Sequence, residues 1–553
     1  MGARHARGTA AMTLASPLSS PLSKTQALVI DGNATSRSLM TAQLRELGVG
    51  HVRQATRVRD ARVILETQPY DIVLCDYYFD GSELSGQDLL DELRREQLLP
   101  YATVFVMVTG EASYAKVAEA AEAALDAYLV KPYTSAALAD RLANARHRKL
   151  ELKAIFDAID ARDFDRAADL CLERFQQKAT YWLYAARIGA ELLLRLERHT
   201  EARELYEAII AARTVPWARL GVARTEVASG NLSAARRTLE TLIGDMPDQA
   251  DSYDLMGRVQ MEQGEIDAAL ATYRTAATLT PGCLLRQQHC GTLAFYAGQR
   301  DEALKMLERS LAQGLRSKLF DWHSLALLAL MRFDAKDGKG LKYAADALAQ
   351  GIERAPRDAR LQRFDVLLQG LRLLMERRLA DALQLARDFA RRAADEAFDL
   401  EAACLLIALW VRMARQDIEL SEMDLLMSQL GLRFCSSKSA TEVMLAMAEG
   451  HEPSSRLMRE ANARVFAISE TAMRQAMRGD AQAGVQLLVE QGGLTLNAKL
   501  IDMAALVLKR YRDRMSDPSA LAPRIEDLQR RYVQASGQGL KAARAAGGMA
   551  LRG

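Results

Sequence analysis

The chain carries almost no net charge: across 553 residues, 73 Lys and Arg stand against 71 Asp and Glu. Without an excess of either sign there is no long-range field to gather nucleic acid or anionic membrane, and no compact basic helix-turn-helix pattern follows residue 148, so the expected partners are proteins. Cysteine is scarce. The six residues, Cys75, Cys171, Cys283, Cys290, Cys404 and Cys435, are scattered through apolar or helical segments. They show neither the paired short spacings of a zinc site nor a dense disulfide framework, and read as reduced core residues. Cys283 and Cys290 flank His289, but no second ligand pair follows and their separation fits two helical turns. No stretch of about 18 uncharged apolar residues occurs, which removes a spanning helix. Residues 1–24 are rich in Ala, Ser, Arg and Gly and hold no apolar core of a signal peptide. The expectation is a soluble, cytoplasmic protein with a disordered tail over 1–24. Gly-rich phosphate loops, paired His–Asp metal motifs and cyclase-like signatures are missing after residue 150, so nothing supports an enzymatic output.

What is present divides the chain. With 49% hydrophobic residues it can bury more than one core. From Thr25 to about Arg148, short β-rich runs alternate with helical patterns, the signature of a parallel sheet with crossover helices. Strands are expected at Ala27–Ile30, His51–Ala55, Asp71–Cys75, Thr103–Val108 and Ala127–Val130. Helical spacing links Ser36 to Leu47, Val58 to Leu65, Leu89 to Leu93 and Val117 to Ala124. Such a doubly wound sheet places its functional groups on loops at the carboxyl ends of the strands. Asp31 ends the first expected strand, Asp76 the third, Thr109 the fourth and Lys131, followed by Pro132, the fifth.

After Lys149 the β signal disappears. Gly257 and Gly291, Gly264 and Gly298, Ala269 and Ala303, Tyr273 and Leu307 are each 34 residues apart, and Gly230, Ala235, Leu239 and Pro247 extend the register backward. A period of that length means stacked helical hairpins. Tyr253, Gly257, Gly264, Ala269, Tyr273, Ala276 and Pro281 together resemble a tetratricopeptide repeat, in which small residues let paired helices approach and Gly or Pro ends each helix. Weaker copies are expected around Ala167, Ala202, Ala345 and Ala382. From about Glu401 the period is lost. The expected organisation is a tail over 1–24, an α/β domain over 25–148, tetratricopeptide-like repeats over 149–440, a helical region over 441–536 and a flexible tail over 537–553. A helical pattern without Gly or Pro runs from Ala136 through Leu142 and Leu150 to Ile155, and predicts a nearly continuous helix joining the domains. Stacked hairpins imply a concave groove lined by first-helix residues, the expected seat of an unidentified protein ligand within residues 150–440.

The four strand-end residues make residues 25–148 resemble the receiver domain of bacterial two-component response regulators, over about a quarter of the chain. The resemblance implies a flavodoxin-like α/β fold followed by an all-α solenoid, and a partner that is a histidine kinase or phosphotransfer protein. Asp76 matches the phosphoacceptor, with Thr109 and Lys131 completing the reactive set and Thr109 and Tyr128 matching the switch positions. Asp31, Asp76 and the Tyr78 backbone carbonyl match the ligands of a magnesium ion. An exposed carboxylate can attack a phosphoryl group, and an ammonium, a hydroxyl and a divalent metal can each compensate one phosphoryl oxygen. Two departures matter. Gly32 stands where a second acid is usual, so metal affinity should be low, and the loop after Asp76 is longer than usual, with Asp80 or Glu83 able to substitute as a ligand. The competing reading is a receiver that takes no phosphate and serves as a docking or dimerisation module.

Overall fold

The computed structural model describes residues 22–534 apart from 80–84, 96–97, 101, 111–125, 213–214, 316, 318, 417, 419 and 516. The expected helix from Val117 to Ala124, the loop acids Asp80 and Glu83, and the tail over 537–553 lie outside the described residues. Among those described, no helix is long and apolar enough to cross a membrane. The chain divides into two compact units between Gly230 and Asn231.

In the first unit five strands, β1 (Gln26–Ile30), β2 (His51–Ala55), β3 (Ile72–Asp76), β4 (Val104–Thr109) and β5 (Ala127–Val130), form one parallel sheet in the order β2-β1-β3-β4-β5. Every residue of β3 and β4 is buried, as expected for central parallel strands covered on both faces. The registers pair Ile30 with Cys75, Asp76 with Val108 and Thr109 with Val130, so the carboxyl ends stand in one row. Helices α1 (Ala34–Glu46), α2 (Val58–Thr67) and α3 (Gly86–Arg95) follow the first three strands. The disorder expected up to Lys24 does not include Leu22–Lys24, and residues 1–21 lie outside the described residues. Leu22–Lys24 forms a 3-10 turn, because the Leu22 carbonyl accepts from Thr25 Oγ1 at 2.7 Å and from the Gly50 amide at 3.1 Å.

After β5, α4 (Ser135–Glu151) is capped by Thr134, whose side chain accepts from the Ala137 amide. The joining helix predicted past residue 150 breaks once, at the buried Leu152, and resumes as α5 (Lys153–Asp160). Four helices complete the unit: α6 (Phe164–Gln176), α7 (Trp182–Arg195), α8 (His199–Ala212) and α9 (Pro216–Ala228). In several hairpins the turn holds a left-handed residue, and a small buried residue follows five positions later. Arg162 precedes Ala167, Glu197 precedes Ala202, and in the second unit Gly264 precedes Ala269 and Gly298 precedes Ala303.

The second unit is wholly helical among its described residues: α10 (Leu232–Asp245), α11 (Ala250–Glu262), α12 (Ile266–Leu279), α13 (Leu284–Tyr296), α14 (Arg300–Gly314), α15 (Trp322–Asp334), α16 (Gly338–Arg354), α17 (Ala359–Met375), α18 (Leu379–Ala390), α19 (Leu400–Ala414), α20 (Met423–Phe434), α21 (Lys438–Met447), α22 (Glu452–Met477), α23 (Ala481–Thr495), α24 (Ala498–Tyr511) and α25 (Pro518–Leu528). Two expectations change here. The copy placed around Ala345 is out of register: the turn residue is Lys336, so the equivalent position is Leu341, which is buried while Ala345 is only half-buried. The hairpin device also persists beyond residue 401, where the period was expected to be lost, since left-handed Gly479 ends the α22–α23 turn and buried Gly484 follows by the same interval.

Small-residue contacts set the packing. A Cβ at Gly257 on α11 would lie 2.5 Å from the Tyr273 ring on α12, and one at Gly291 on α13 would lie 2.6 Å from Leu307 on α14. Gly257→Leu should therefore destabilise the second unit by about 1–3 kcal/mol through overpacking. Gly244→Leu, at a helical glycine with open space beside it, should cost under about 1 kcal/mol. Denaturant midpoints of the two variants check this, and equal midpoints would contradict the packing account.

The first helices neighbour one another along the array, α13 against α15, α15 against α17 and α17 against α19. They are tied by charge across repeats. Arg286 reaches Asp251 and Asp254 at 2.7 and 2.8 Å, and Arg360 reaches both Asp321 and Glu401 at 2.7 Å. Helix α19 is apolar on all sides and buried from Ala402 to Met413, which requires cover on every face. Part of the first-helix face that the repeat pattern implied as a groove is covered: α21 packs on α11, α13 and α19.

Candidate functional site

Parallel pairing brings four strand ends together. Asp31 follows β1 directly and is fully buried, Asp76 and Thr109 are the last residues of β3 and β4, and Lys131 follows β5. The Lys131 ammonium stands between the two acids, with Nζ 2.9 Å from Asp31 Oδ2 and 2.9 Å from Asp76 Oδ2. Asp31 is held by its own loop: its Oδ1 accepts from the Asn33 amide at 2.7 Å and its Oδ2 from the Ser36 hydroxyl at 2.6 Å. Asp76 Oδ1 accepts from the Tyr77 amide at 2.8 Å. The backbone around Asp76 depends on Gly86 at the start of α3, where any Cβ would fall 2.1 Å from the Asp76 carbonyl oxygen. The Gly86 amide donates to the Tyr77 carbonyl at 2.8 Å. Gly86 thus closes the long loop onto the strand end.

Two carboxylates share one ammonium, so the site keeps an excess of negative charge. Burial pushes the Asp76 carboxyl up from its ordinary range, against the hydrogen bond from Lys131. Burial also opposes the charge on Lys131, but hydrogen bonds to Asp31 and Asp76 win and hold the ammonium above its ordinary range. The ammonium stays charged and the surplus negative charge rests on the acid pair. A surplus of this sign, on two carboxylates with lone pairs left over, fits a divalent cation. Tyr78, the position matched to the carbonyl ligand, is exposed, and Tyr128 is half-buried on β5. No cluster of three or more His, Cys, Asp or Glu suited to a metal occurs among the described residues.

Sequence reasoning missed two groups. Tyr133, two residues after Lys131, has its phenol pushed up to about 12 by burial and then by the Asp31 and Asp76 charges; the phenol therefore stays neutral. The second is a buried ionic node at the amino ends of β4 and β5, opposite the strand tips, centred on Asp126 just before β5. Its Oδ1 lies 2.5 Å from Arg148 Nη2 and 3.1 Å from Lys149 Nζ on α4. Its Oδ2 accepts from the Phe105 amide at 2.9 Å and lies 3.8 Å from Arg94 on α3. Lys149 is fully buried and donates to the Tyr184 hydroxyl on α7 at 3.0 Å, while the Arg148 guanidinium lies 4.8 Å from the Tyr184 ring centre. One carboxylate therefore joins α3, β4 and α4 to the first repeat. No pattern of period or motif marks a lone Asp before a strand as such a centre.

Two protein families match separate parts of the chain. The model of the response regulator receiver domain matches residues 27–143, and that of the tetratricopeptide repeat matches residues 193–259. The chain is 33% identical over 115 residues to chemotaxis protein CheY-3 of Vibrio cholerae, covering 21% of this chain and 86% of that protein. It is 31% identical over 115 residues to chemotaxis protein CheY of Pseudomonas aeruginosa, covering 21% of this chain and 90% of that one. Among solved structures, it is similar to a response regulator from Burkholderia pseudomallei with a phosphorylated aspartic acid, calcium ion and citrate, at 23% identity, covering 26% of this chain and 91% of that one with a TM-score of 0.20. It is also similar to a tetratricopeptide repeat protein from Parabacteroides merdae, at 14% identity, covering 49% and 95% with a TM-score of 0.32.

Proposed function

Because the chain belongs to the response regulator receiver family and carries tetratricopeptide repeats behind its receiver, we propose that it is a phosphorylation-switched adaptor: Asp76 accepts a phosphoryl group, and the helical array answers by changing its protein contacts. The observation that carries the reading is Lys131, held 2.9 Å from both Asp31 and Asp76 at the strand ends. An Asp76 carboxylate oxygen attacks phosphorus, and the bond from phosphorus to the donor's histidine nitrogen breaks, with its electron pair leaving on the imidazole. The product is an acyl phosphate on Asp76. Lys131 offers its ammonium, and Thr109 its hydroxyl, to the oxygens that gain charge. Asp31 and Asp76, with the Tyr78 carbonyl, would hold magnesium, which when bound compensates phosphoryl charge.

A histidine kinase or phosphotransfer protein is the fitting donor. Incubation of the chain with a small phosphodonor and magnesium should add one alkali-labile phosphoryl group to the wild type and none to Asp76→Asn, read by intact mass. Equal labelling of both proteins would remove Asp76 from the role. The reading of an unphosphorylated docking module keeps one specific support, Gly32 in place of an acid beside Asp31. It predicts no labelling of the wild type even at high magnesium.

A further inference from the structure

The topology around α21 does not follow the hairpin order. Helices α20 and α22 pack directly on each other, and α21, between them in sequence, lies against both and also across the first helices α11, α13 and α19, with Asn462 of α22 donating to the Thr441 hydroxyl at 2.8 Å. Ser437 caps the start of α21, its side chain accepting from the Ala440 amide. Ala440, Thr441, Met444, Met447 and Ala448 form one buried stripe at helical spacing, and Met444 and Met447 are part of the array's own apolar core. The inner face of the repeats thus holds a short helix through small residues and two methionines, as a groove holds an amphipathic peptide helix.

Its fastenings at the two ends are polar and shallow. At the first, the Lys438 side chain lies against the turn of one repeat, where a Cβ on Gly264 would meet its Cγ at 2.6 Å. At the second, Glu449 pairs with Arg300 at the turn of the next repeat, with side chains 54% and 30% exposed. Paired groups with that exposure contribute little to holding two segments together.

We propose that α21 is a built-in, exchangeable ligand of the repeat array, and that the array takes a partner by releasing α21 in favour of an amphipathic partner helix with the same stripe of small residues and methionines. The inference rests on the array being the partner-binding part of the chain, and its test needs no phosphorylation, so its failure leaves the phosphoryl-acceptor reading standing. While α21 is seated, a competing helix sees only the fraction of molecules in which the groove is open, and its apparent affinity falls by that fraction.

The probe is a fluorescent synthetic peptide of residues 436–448, which ends before Glu449 and so does not feel the charge at position 300, titrated into the full-length chain. Wild type should bind it weakly. Arg300→Glu, which sets two like charges against each other at the fastening, should bind it about fivefold tighter, and the swap Arg300→Glu/Glu449→Arg should return to the wild-type value. Met444→Ser/Met447→Ser should bind it at least about fiftyfold tighter. Arg300→Cys/Glu449→Cys closed with a short bis-maleimide should exclude the peptide, and the six native cysteines, all buried, leave that linkage selective. If the methionine variant loses its fold by circular dichroism, the Arg300→Glu and cross-linked proteins decide the matter. Equal peptide affinity in wild type, Arg300→Glu and the cross-linked chain, or no binding in any of them, overturns the proposal.

Discussion

Asp126→Asn should loosen the seam between the receiver and the first repeat by about 3–5 kcal/mol, because a change of nearly identical shape removes the one carboxylate that Arg94, Arg148 and Lys149 converge on. Removing a single partner from a buried ionic cluster costs more than the cluster contributes, since the remaining charges stay out of water. Global unfolding of a chain with two units need not be a single transition, so the reading is best local. Amide exchange over α4, α5 and the start of α7 should accelerate by at least about a hundredfold, with α13 in the second unit unaffected. The sign with pH follows from the direction of the Asp126 shift. Burial raises its pKa, but Lys149, Arg148 and Arg94 outweigh it and hold the carboxyl below its ordinary value of 3.8. Its stabilising effect is therefore complete above that value and is lost as pH falls through the lower, folded one. Wild type and Asp126→Asn should converge in strongly acidic solution. An Asp126→Asn protein with wild-type exchange at neutral pH would show that the seam is held elsewhere. The same substitution should also weaken any effect of phosphorylation on the repeats, because β5, which carries Tyr128, and α4 are joined to Tyr184 through this node.

Gly32→Asp should raise magnesium affinity about tenfold, equivalent to about 1.4 kcal/mol, and speed phosphorylation of Asp76. The position accepts a side chain. Gly32 is not in the left-handed region, and a Cβ there would meet only the Thr56 carbonyl at 3.8 Å and Phe79 Cδ1 at 3.9 Å, both ordinary contacts. The need for another carboxylate is greater than the sequence alone implied. Asp31 already accepts from Asn33, Ser36 and Lys131, so the oxygens it can turn to a metal are shared. Magnesium demands near-ideal oxygen geometry, which a new acid with free lone pairs serves better. Calorimetric titration of magnesium into wild type, Gly32→Asp and Asp80→Ala separates this from the alternative in which a loop acid already serves. Unchanged or weaker affinity in Gly32→Asp together with a clear loss in Asp80→Ala would hand the ligand position to the loop.

The site was legible because its chemistry is carried by residue type at strand ends. A short continuous apolar run that stops at Asp, Thr or Lys-Pro gives both the strand and the group at its tip, and parallel pairing then aligns the tips without further information. The observed β2 and β5 coincide with the strands read from the pattern, and the others differ only at their ends. The repeat was legible for a similar reason. Gly257 opposite Tyr273 and the left-handed turn at Gly264 are local necessities of a tight hairpin. Where the position five residues after the turn is Leu341 rather than a small residue, the hairpin carries no small-residue mark, and the register slipped to Ala345.

Sequence by itself determined the two architectures, the residues that stand at the strand ends and the spacing of the hairpins, because each depends on neighbours a few residues apart or on the ends of apolar runs. Only the tertiary structure decided that Lys131 bridges Asp31 and Asp76, that Asp126 gathers Arg94, Arg148 and Lys149, and that α21 packs on α11, α13 and α19. Those arrangements join residues tens to more than a hundred positions apart. Their free energy comes from desolvation and shape at the point of contact, and neither quantity is written in the type of any one residue.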